Sequence, residues 1–490
     1  MLLSLLLACP LIGMLLVLII PKTAVRQIRW VALAATAAAF AVGLRVLAVF
    51  QPEAGLQFVE RVSWIPQLSI FYQLGVDGIS LPMVILTVLL AFLACIASAS
   101  ITERHKEYFA LYLLLEAGML GTFLALDLFL FYVFWEIVLV PMYFLIGIWG
   151  GGRREYSAFK FFIYTLTGSL AMLLAILALY FRTGTFDLLA LADSSHGFER
   201  SFQQLLFLGF FLGFAVKVPI FPFHTWLPDA HVDAPTPISV LLAGVLLKMG
   251  GYGFFRVAYP LCPAAAQWFG WTMALLGVIN IVYGAFVAMA QVDFKRLVAY
   301  SSVSHMGFVL LGVSSLTPSG MNGAMLQMFN HGTITGGMFL LVGVLYDRTH
   351  TRQLDAFGGL GARMPVYAGI LSFFSLASLG LPGLSGFVSE FLSLVGTFGV
   401  WRWQTMVSVL GVIASAAYML LVLQRVLLGI LNEKWRALPD ITGRELSSVV
   451  PLLLVILALG IYPMLMLNLQ GGAVQALLAQ MAASVGGTQP

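Results

Sequence analysis

Apolar runs, each close to the length that crosses a lipid bilayer, fill almost the whole of this 490-residue sequence. A helix of about 20 apolar residues spans the hydrocarbon core of a membrane. Only 9% of the residues are charged and 61% are hydrophobic, whereas a soluble domain carries about 25% charged residues. The sequence therefore predicts an all-α membrane protein and excludes a soluble core. About 14 transmembrane helices are expected, over residues 1–21, 28–50, 78–100, 108–126, 128–149, 158–181, 202–223, 234–260, 265–290, 297–315, 320–346, 365–398, 403–430 and 447–469.

Basic residues are distributed unevenly between alternate loops, and this distribution predicts the topology. Loops after odd-numbered segments hold sixteen Lys and Arg, and loops after even-numbered segments hold five. Because cytoplasmic loops retain basic residues, both termini are expected on the outer side of the membrane. The first apolar run is interpreted as a helix rather than a signal peptide, since its first basic residues, Lys22, Arg26 and Arg29, follow it.

A four-residue motif that occurs twice indicates an internal repeat. The motif at 165–168 matches that at 333–336, and each copy is followed about 50 residues later by a proline inside an apolar segment, Pro219 and Pro382. Proline interrupts a helix, so the seventh and twelfth segments are expected to be broken helices. An offset of five helices inverts the second copy, as in many transporters. The predicted organisation is three N-terminal helices over 1–107, a first five-helix repeat over 108–260, an inverted second repeat over 261–430, and a C-terminal helix and tail over 431–490.

Redox and metal cofactors are not expected in this chain. Its three cysteines, Cys9, Cys95 and Cys262, are far apart in sequence and form none of the short spacings that bind iron–sulfur clusters or zinc. A metal could be considered at His224, Asp229 and His231. The many prolines around these residues favour instead an extended surface loop that shapes the helix break.

Four charged residues lie deep inside apolar segments: Glu136, Lys217, Lys248 and Glu390. A charge near the middle of a bilayer costs at least about 2.5 kcal/mol, so such residues usually mark an ion pathway. The simpler explanations are a glutamate that is held neutral by burial and a lysine that extends to the membrane surface. The second explanation fits Lys217 better than Lys248, which is far from either end of its helix.

Two histidines add groups that titrate near neutral pH. His305 follows a serine-rich stretch and His331 precedes Gly332 and Thr333. Each alone is more often a hydrogen-bonded core histidine than a proton carrier, but together with the buried charges they fit a hydrated path. Glu116 also lies within an apolar segment, where burying its charge would cost free energy. The sequence indicates no role for it.

Five motifs stand out, over residues 134–143, 219–237, 246–253, 294–307 and 387–391. In these motifs the sequence resembles a known family, the antiporter-like membrane subunits of NADH:quinone oxidoreductase (respiratory complex I) and of related cation/proton antiporters. The resemblance extends over nearly the whole chain. Within the family most members carry lysine after the second helix break, whereas one branch carries glutamate, as this chain does at Glu390.

The resemblance implies a function and a role for each site residue. Glu136 and Lys217 would form a pair on facing helices, Lys248 would be the central proton carrier, and His305 and His331 would continue a hydrated axis that ends at Glu390. Flavin mononucleotide, the iron–sulfur clusters and the quinone site would lie in partner subunits. The partners would be other membrane subunits of the complex, in a bacterial inner membrane.

Three alternatives remain at this stage. The chain could belong to a multisubunit cation/proton antiporter, or to a complex I-like enzyme that takes electrons from ferredoxin or another donor. A purely structural membrane scaffold is a third alternative, and it leaves the cost of the four buried charges unexplained.

Overall fold

The computed structural model describes residues 1–486, which are mainly helical. Within these residues, twelve helices are long and apolar enough to cross a membrane. The predicted class, an all-α multi-pass membrane protein, is therefore confirmed. The main helices are α1 Leu2–Ile19, α2 Val25–Val49, α3 Ser80–Ser100, α4 His105–Leu124, α5 Leu128–Trp149, α6 Arg154–Thr183, α7 Arg200–Lys217, α8 Thr236–Leu261, α9 Pro263–Met289, α10 Phe294–Ser314, α11 Pro318–Thr349, α12 Pro365–Ser378, α13 Ser385–Phe398, α14 Arg402–Leu427, α15 Gly443–Ile461 and α16 Met464–Gly486.

Helices α8, α10 and α11 form the centre of the molecule. The apolar stretches of α8 and α11 are entirely buried and that of α10 is nearly so, whereas in α1, α2 and α15 most residues of these stretches are not fully buried. In a membrane those outer surfaces would face lipid, which is as apolar as the side chains themselves. The polar residues of α8, α10 and α11 are therefore removed from lipid, as a membrane interior requires.

A β-hairpin between α2 and α3 was not predicted. Strands β1 Gln57–Ile65 and β2 Ile70–Val76 pair antiparallel. Glu60 of β1 accepts hydrogen bonds from the backbone amides of Leu3, at 2.8 Å, and Ser4, at 3.1 Å, and from the Ser4 hydroxyl. The hairpin thus supplies a carboxylate to the N-terminus of α1, where amide groups lack helical partners and negative charge is favoured.

Glu60 makes the stability of this contact dependent on pH. Partial burial alone would raise the pKa of Glu60, but the hydrogen bonds from Ser4 and Leu3 outweigh it and hold this pKa below its ordinary value. A carboxyl with a lowered pKa stabilises the folded state above its unfolded pKa of about 4.3, and this stabilisation is lost as the pH falls through the folded value.

Replacing Glu60 with Gln should destabilise the protein by roughly 1 kcal/mol at pH 7, because the charge at the α1 N-terminus is lost. The difference from the unaltered protein should shrink toward zero below about pH 4. Thermal unfolding in detergent across this pH range measures both effects. An equal difference at about pH 7 and about pH 3.5 would contradict the role given to the charge, and the exposed Glu433→Gln is the control.

Within residues 1–486, ion pairs between loops connect only loops that the charge distribution predicts on the same side. Lys22 contacts Glu107 and Arg352 contacts Asp293, on the side of the odd-numbered loops. On the other side Arg61 contacts Asp187 and Arg256 contacts Asp77. These pairs fit helices that run alternately up and down.

The prediction of an extended surface loop after the first helix break is wrong. Residues Trp226–Asp233 form a short helix, and Trp226, Leu227 and His231 are fully buried. The reason is packing: the Trp226 indole donates a hydrogen bond to the Val216 carbonyl, at 2.9 Å. The prolines shape this buried turn and helix but do not expose them.

Candidate functional site

Lys248 lies in the middle of α8 with no exposed surface. The stretch just before it, Leu242–Leu246, is π-helical, a local widening of the helix that is frequent at functional sites. Lys248 Nζ donates a hydrogen bond to the Ala243 carbonyl and lies 2.5 Å from His331 Nδ1, within hydrogen-bond distance. The cost of burying this amine is thereby offset by two partners, one of them titratable.

His331, on α11, connects Lys248 to a second buried group. Its ring lies 5.8 Å from the ring of His305 on α10, measured between centroids. His305 Nδ1 is 2.9 Å from Glu390 Oε1, and its Nε2 is 3.2 Å from the Ser378 hydroxyl. The structure therefore brings Lys248, His331, His305 and Glu390 into one line, which we call the buried line.

A small cavity lies beside the buried line. It has a volume of about 10 Å³ and is lined by His305, His331, Glu390, Gln327 and Ser378, among others. This volume is close to the minimum that holds one water molecule, and the lining supplies the polar partners that such a water needs. A single water at this place can bridge the gap between the two histidine rings.

Glu390 reaches the line because its helix is broken, as the sequence predicted. Helix α12 ends at Ser378 and α13 begins at Ser385, with positive φ angles at Gly380 (+82°) and Gly383 (+94°) that favour glycine. A Cβ atom on Gly380 would lie 3.3 Å from Glu390 Oε2. The turn therefore approaches the carboxylate closely.

A polar network that the sequence analysis missed fixes α13 against α11. The Ser389 hydroxyl donates to Gln327 Oε1, at 2.5 Å, and accepts from Asn330 Nδ2, at 3.1 Å. Asn330 also donates to the Ser385 carbonyl, at 2.7 Å. Ser389 precedes Glu390 in the chain, so this network sets the position of the carboxylate. The signal available in sequence was the set of amides on α11, which a wholly apolar helix would lack.

The first helix break holds Lys217, the last residue of α7. Its side chain is 2% exposed, and Nζ lies 5.4 Å from the Trp135 ring centroid and 5.8 Å from that of Phe161. Such cation–π contacts favour a charged amine. Glu136 follows Trp135 on α5 and is near enough to interact electrostatically with Lys217. Within the described residues, however, no oxygen of Glu136 lies within 4.0 Å of Lys217 Nζ, and their direct pairing stays a prediction.

The side chain of Asn280, on α9, supplies hydrogen-bond partners to backbone groups at this break that have no partner within a helix. Its Oδ1 accepts from the Phe221 amide, at 2.8 Å, and its Nδ2 donates to the Pro219 carbonyl, at 3.1 Å. Asn280 is fully buried. The sequence analysis did not select it, because an isolated asparagine in an apolar run does not show which backbone groups it meets.

Replacing Asn280 with Leu should leave both backbone groups of the break without partners and cost about 1–3 kcal/mol for each buried group. We expect a lower unfolding temperature, because the helix break would lose the side chain that holds its backbone. Thermal unfolding is compared with that of Phe286→Leu, a change at a half-exposed position of the same helix. Unchanged stability would contradict the role of Asn280.

The residues considered for a metal have separate partners. His224 Nε2 is 3.3 Å from the Tyr283 hydroxyl, and Asp229 accepts from Lys160 at 2.7 Å. His231 stacks on the Phe339 ring, with centroids 4.5 Å apart. Within the described residues, no group of three His, Cys, Asp or Glu side chains is arranged to hold a metal ion.

His231 lies near Lys248, and Lys295 lies near His231; neither arrangement was predicted. His231 is fully buried and interacts electrostatically with Lys248 and Lys295. Lys295 is 3% exposed and donates to the Ala234 carbonyl, at 2.5 Å. It lines a cavity of about 250 Å³ that also contacts Asp233 and Asp347. A polar cavity therefore lies on the side of the odd-numbered loops, with Lys295 in its wall.

Glu116 of α4 stands apart from the buried line. It has no exposed surface, and among the described residues neither of its carboxyl oxygens has a hydrogen-bond partner. A charged carboxylate without partners is strongly disfavoured in such surroundings. Within the described residues, Glu116 therefore forms no hydrogen bond with any of the predicted proton carriers.

The buried line has the chemistry of a proton path. An amine, two imidazoles and a carboxyl group each exist in two protonation states, and the three steps between them are hydrogen bonds or near contacts. Ionisable residues at this depth in a membrane protein are otherwise rare.

Comparison with known proteins defines the class. The family described as "NADH:quinone oxidoreductase/Mrp antiporter, TM" matches residues 125–416, and "NADH-ubiquinone oxidoreductase chain 4, amino terminus" matches residues 11–127. Respiratory complex I from Thermus thermophilus with bound NADH contains a chain of 32% sequence identity that superposes with a TM-score of 0.90, over 98% of this chain and 100% of that one. A chain of the Mrp complex from Dietzia superposes with a TM-score of 0.84 at 26% identity, over 97% of this chain and 51% of that one. The chain belongs to the antiporter-like membrane subunits.

A curated relative specifies the branch. NADH-quinone oxidoreductase subunit M of Rhodobacter capsulatus is 48% identical over 94% of this chain and 92% of the relative. The chain belongs to the NADH-quinone oxidoreductase subunit M family, which is the branch that Glu390 predicted.

Proposed function

We propose that this chain is a proton-translocating membrane subunit of an NADH:quinone oxidoreductase. The observation that carries the proposal is the buried line, in which Lys248, His331, His305 and Glu390 meet across the helices of an apolar protein. Glu136 and Lys217 complete the relay at the first helix break. Membership of the subunit M family supports the assignment to this enzyme.

The electrons are transferred elsewhere in the complex. Flavin mononucleotide, the iron–sulfur clusters and the quinone site are assigned to partner subunits. In this mechanism, redox chemistry changes the charge around Glu136 and Lys217, and this change alters the proton affinity of Lys248. Charges in a poorly screened interior interact by several kcal/mol, which exceeds the roughly 1.36 kcal/mol that shifts a pKa by one unit. Protons then pass along the buried line.

The finer topology belongs to the same proposal. The chain would cross the membrane 14 times, with α7 and the short helix after it as the seventh segment and α12 with α13 as the twelfth. Five-helix repeats over 108–260 and 261–430 would be inverted relative to each other, between N-terminal helices over 1–107 and a C-terminal part over 431–490. Both termini would lie on the outer side of a bacterial inner membrane. The same-side ion pairs of the loops support this arrangement.

A cation/proton antiporter is the second candidate, and the structural likeness to the Mrp complex favours it. The glutamate at position 390 and the 48% identity to a subunit M favour the quinone oxidoreductase. In relatives that use ferredoxin or another donor, the donor would be bound by other subunits of the complex and not by the chain that corresponds to this one.

Purification of the tagged chain from its own membrane in mild detergent distinguishes these candidates. We expect the other membrane subunits, flavin and iron–sulfur proteins to co-purify, together with NADH-to-quinone activity. Antiporter subunits alone, without redox activity, would contradict the proposal in favour of the antiporter. Redox subunits that are inactive with NADH would indicate another electron donor.

A further inference from the structure

A cavity on the opposite side of α3 from the buried line belongs to no part of the proposed mechanism. It has a volume of about 550 Å³ and lies between α2, α3, α4 and the start of α15. This volume is within the range of small-molecule binding pockets. Most of the wall is apolar, and Trp30, Leu33 and Ile96 are among the residues that line it.

Three guanidinium groups provide the charge of this cavity: Arg26, Arg29 and Arg444. Arg29 Nη2 donates to the Ile101 carbonyl at 2.7 Å and lies 3.0 Å from His105 Nε2, while its Nε is buried and has no hydrogen-bond partner among the described residues. Within residues 1–486, no carboxylate lies within 4.0 Å of a nitrogen of these three side chains. The cavity therefore has guanidinium groups without a direct carboxylate partner and a buried donor that lacks an acceptor.

Two of the nearby carboxylates are already paired with other cations. A third, Asp347, interacts electrostatically with Arg444, but within the described residues it forms no ion pair with it at 4.0 Å or less. Glu107 accepts from Lys22 at 2.8 Å. Glu445, which follows Arg444 in the chain, accepts two hydrogen bonds from Arg348, both at 2.7 Å. Such a bidentate pair is among the stronger polar contacts in proteins. An anion from outside the chain is thus the partner that the three arginines lack.

We propose that this cavity binds one anionic glycerophospholipid, with its phosphate at the guanidinium groups and an acyl chain along the apolar wall. Arginine binds phosphate oxygens through paired donors, and basic pockets between membrane helices bind anionic headgroups. The Trp30 side chain is 60% exposed beside the cavity, and indole rings favour the headgroup level of a bilayer. A water-soluble phosphate would leave the apolar wall unfilled.

The test compares three forms of the intact complex. In the first, Arg26, Arg29 and Arg444 are each replaced with Gln. In the second, Ala99→Phe fills the cavity and leaves the charges in place. The control carries the same loss of charge at exposed positions elsewhere, as Arg153→Gln, Arg363→Gln and Arg402→Gln. Each form is purified, delipidated, incubated with phosphatidylglycerol or phosphatidylcholine, and weighed by native mass spectrometry, with inorganic phosphate as a competitor.

The unaltered complex and the control should retain one more phosphatidylglycerol per complex than either cavity variant. The affinity for this lipid should fall at least about tenfold in the triple arginine variant, and phosphatidylcholine should not replace it. Equal retention by the cavity variants and the control would overturn the proposal, since the cavity would then hold no lipid or be covered by a neighbouring subunit. Displacement by millimolar inorganic phosphate would also overturn it, because the site would then recognise an anion alone.

Discussion

Replacing Lys248 with Met should abolish proton translocation through this chain, with a fall of about 100-fold or more in the transfer rate. Met retains most of the side-chain volume but has no titratable group, so nothing connects the Ala243 carbonyl to His331. Proton pumping driven by NADH oxidation in proteoliposomes measures the effect. The exposed Lys434→Met is the matched control, and it should pump like the unaltered complex.

Assembly has to be measured beside pumping. Removing a buried amine also removes its electrostatic cost, so we expect the Lys248→Met complex to assemble and to transfer electrons from NADH to artificial acceptors normally. Full pumping stoichiometry in an assembled complex with this substitution would exclude Lys248 as the central proton carrier.

Replacing Glu390 with Gln should also stop proton transfer through the chain. The amide can still contact His305, but it neither takes up nor releases a proton, so the line loses its last titratable group. The loss should again be about 100-fold or more in the transfer rate. Glu433→Gln, at an exposed surface position, is the control, and the readout is proton uptake per NADH oxidised.

A purely structural role for Glu390 makes a different prediction. If the carboxylate only fixes His305, the amide introduced by Glu390→Gln would preserve the contact and pumping would continue. Replacing Ser389 with Ala tests the supporting network separately, since it removes the hydrogen bonds to Gln327 and Asn330 but leaves the carboxyl group. We expect partial rather than complete loss there.

Much of the candidate site could be predicted from sequence, because a charged residue inside a long apolar run can be recognised without knowing which helices pack together. Lys248 and Glu390 stand out in apolar runs, and the break after Pro382 agrees with the gap between α12 and α13. The apolar length and the alternating basic loops likewise indicate a multi-pass helical protein.

Contacts between distant residues could not be derived from the residues themselves, although the family resemblance implied an axis through His305 and His331 to Glu390. His331 lies 83 residues from Lys248, and His305 lies 85 residues from Glu390, so only the packing of α8, α10, α11 and α13 shows that they meet. Asn280 was missed for the same reason. The helix at Trp226–Asp233 was misjudged because proline content was taken as evidence of exposure, whereas burial of the Trp226 ring decided its position.

The most direct test of the proposed proton path combines both substitutions. If Lys248 and Glu390 act in one path, the effects of replacing them on proton pumping are not additive, because removing either residue already blocks the path. We predict that the double variant Lys248→Met and Glu390→Gln pumps the same number of protons per NADH as either single variant. A double variant that loses twice as much as each single one would contradict the account, because the two residues would then belong to separate paths.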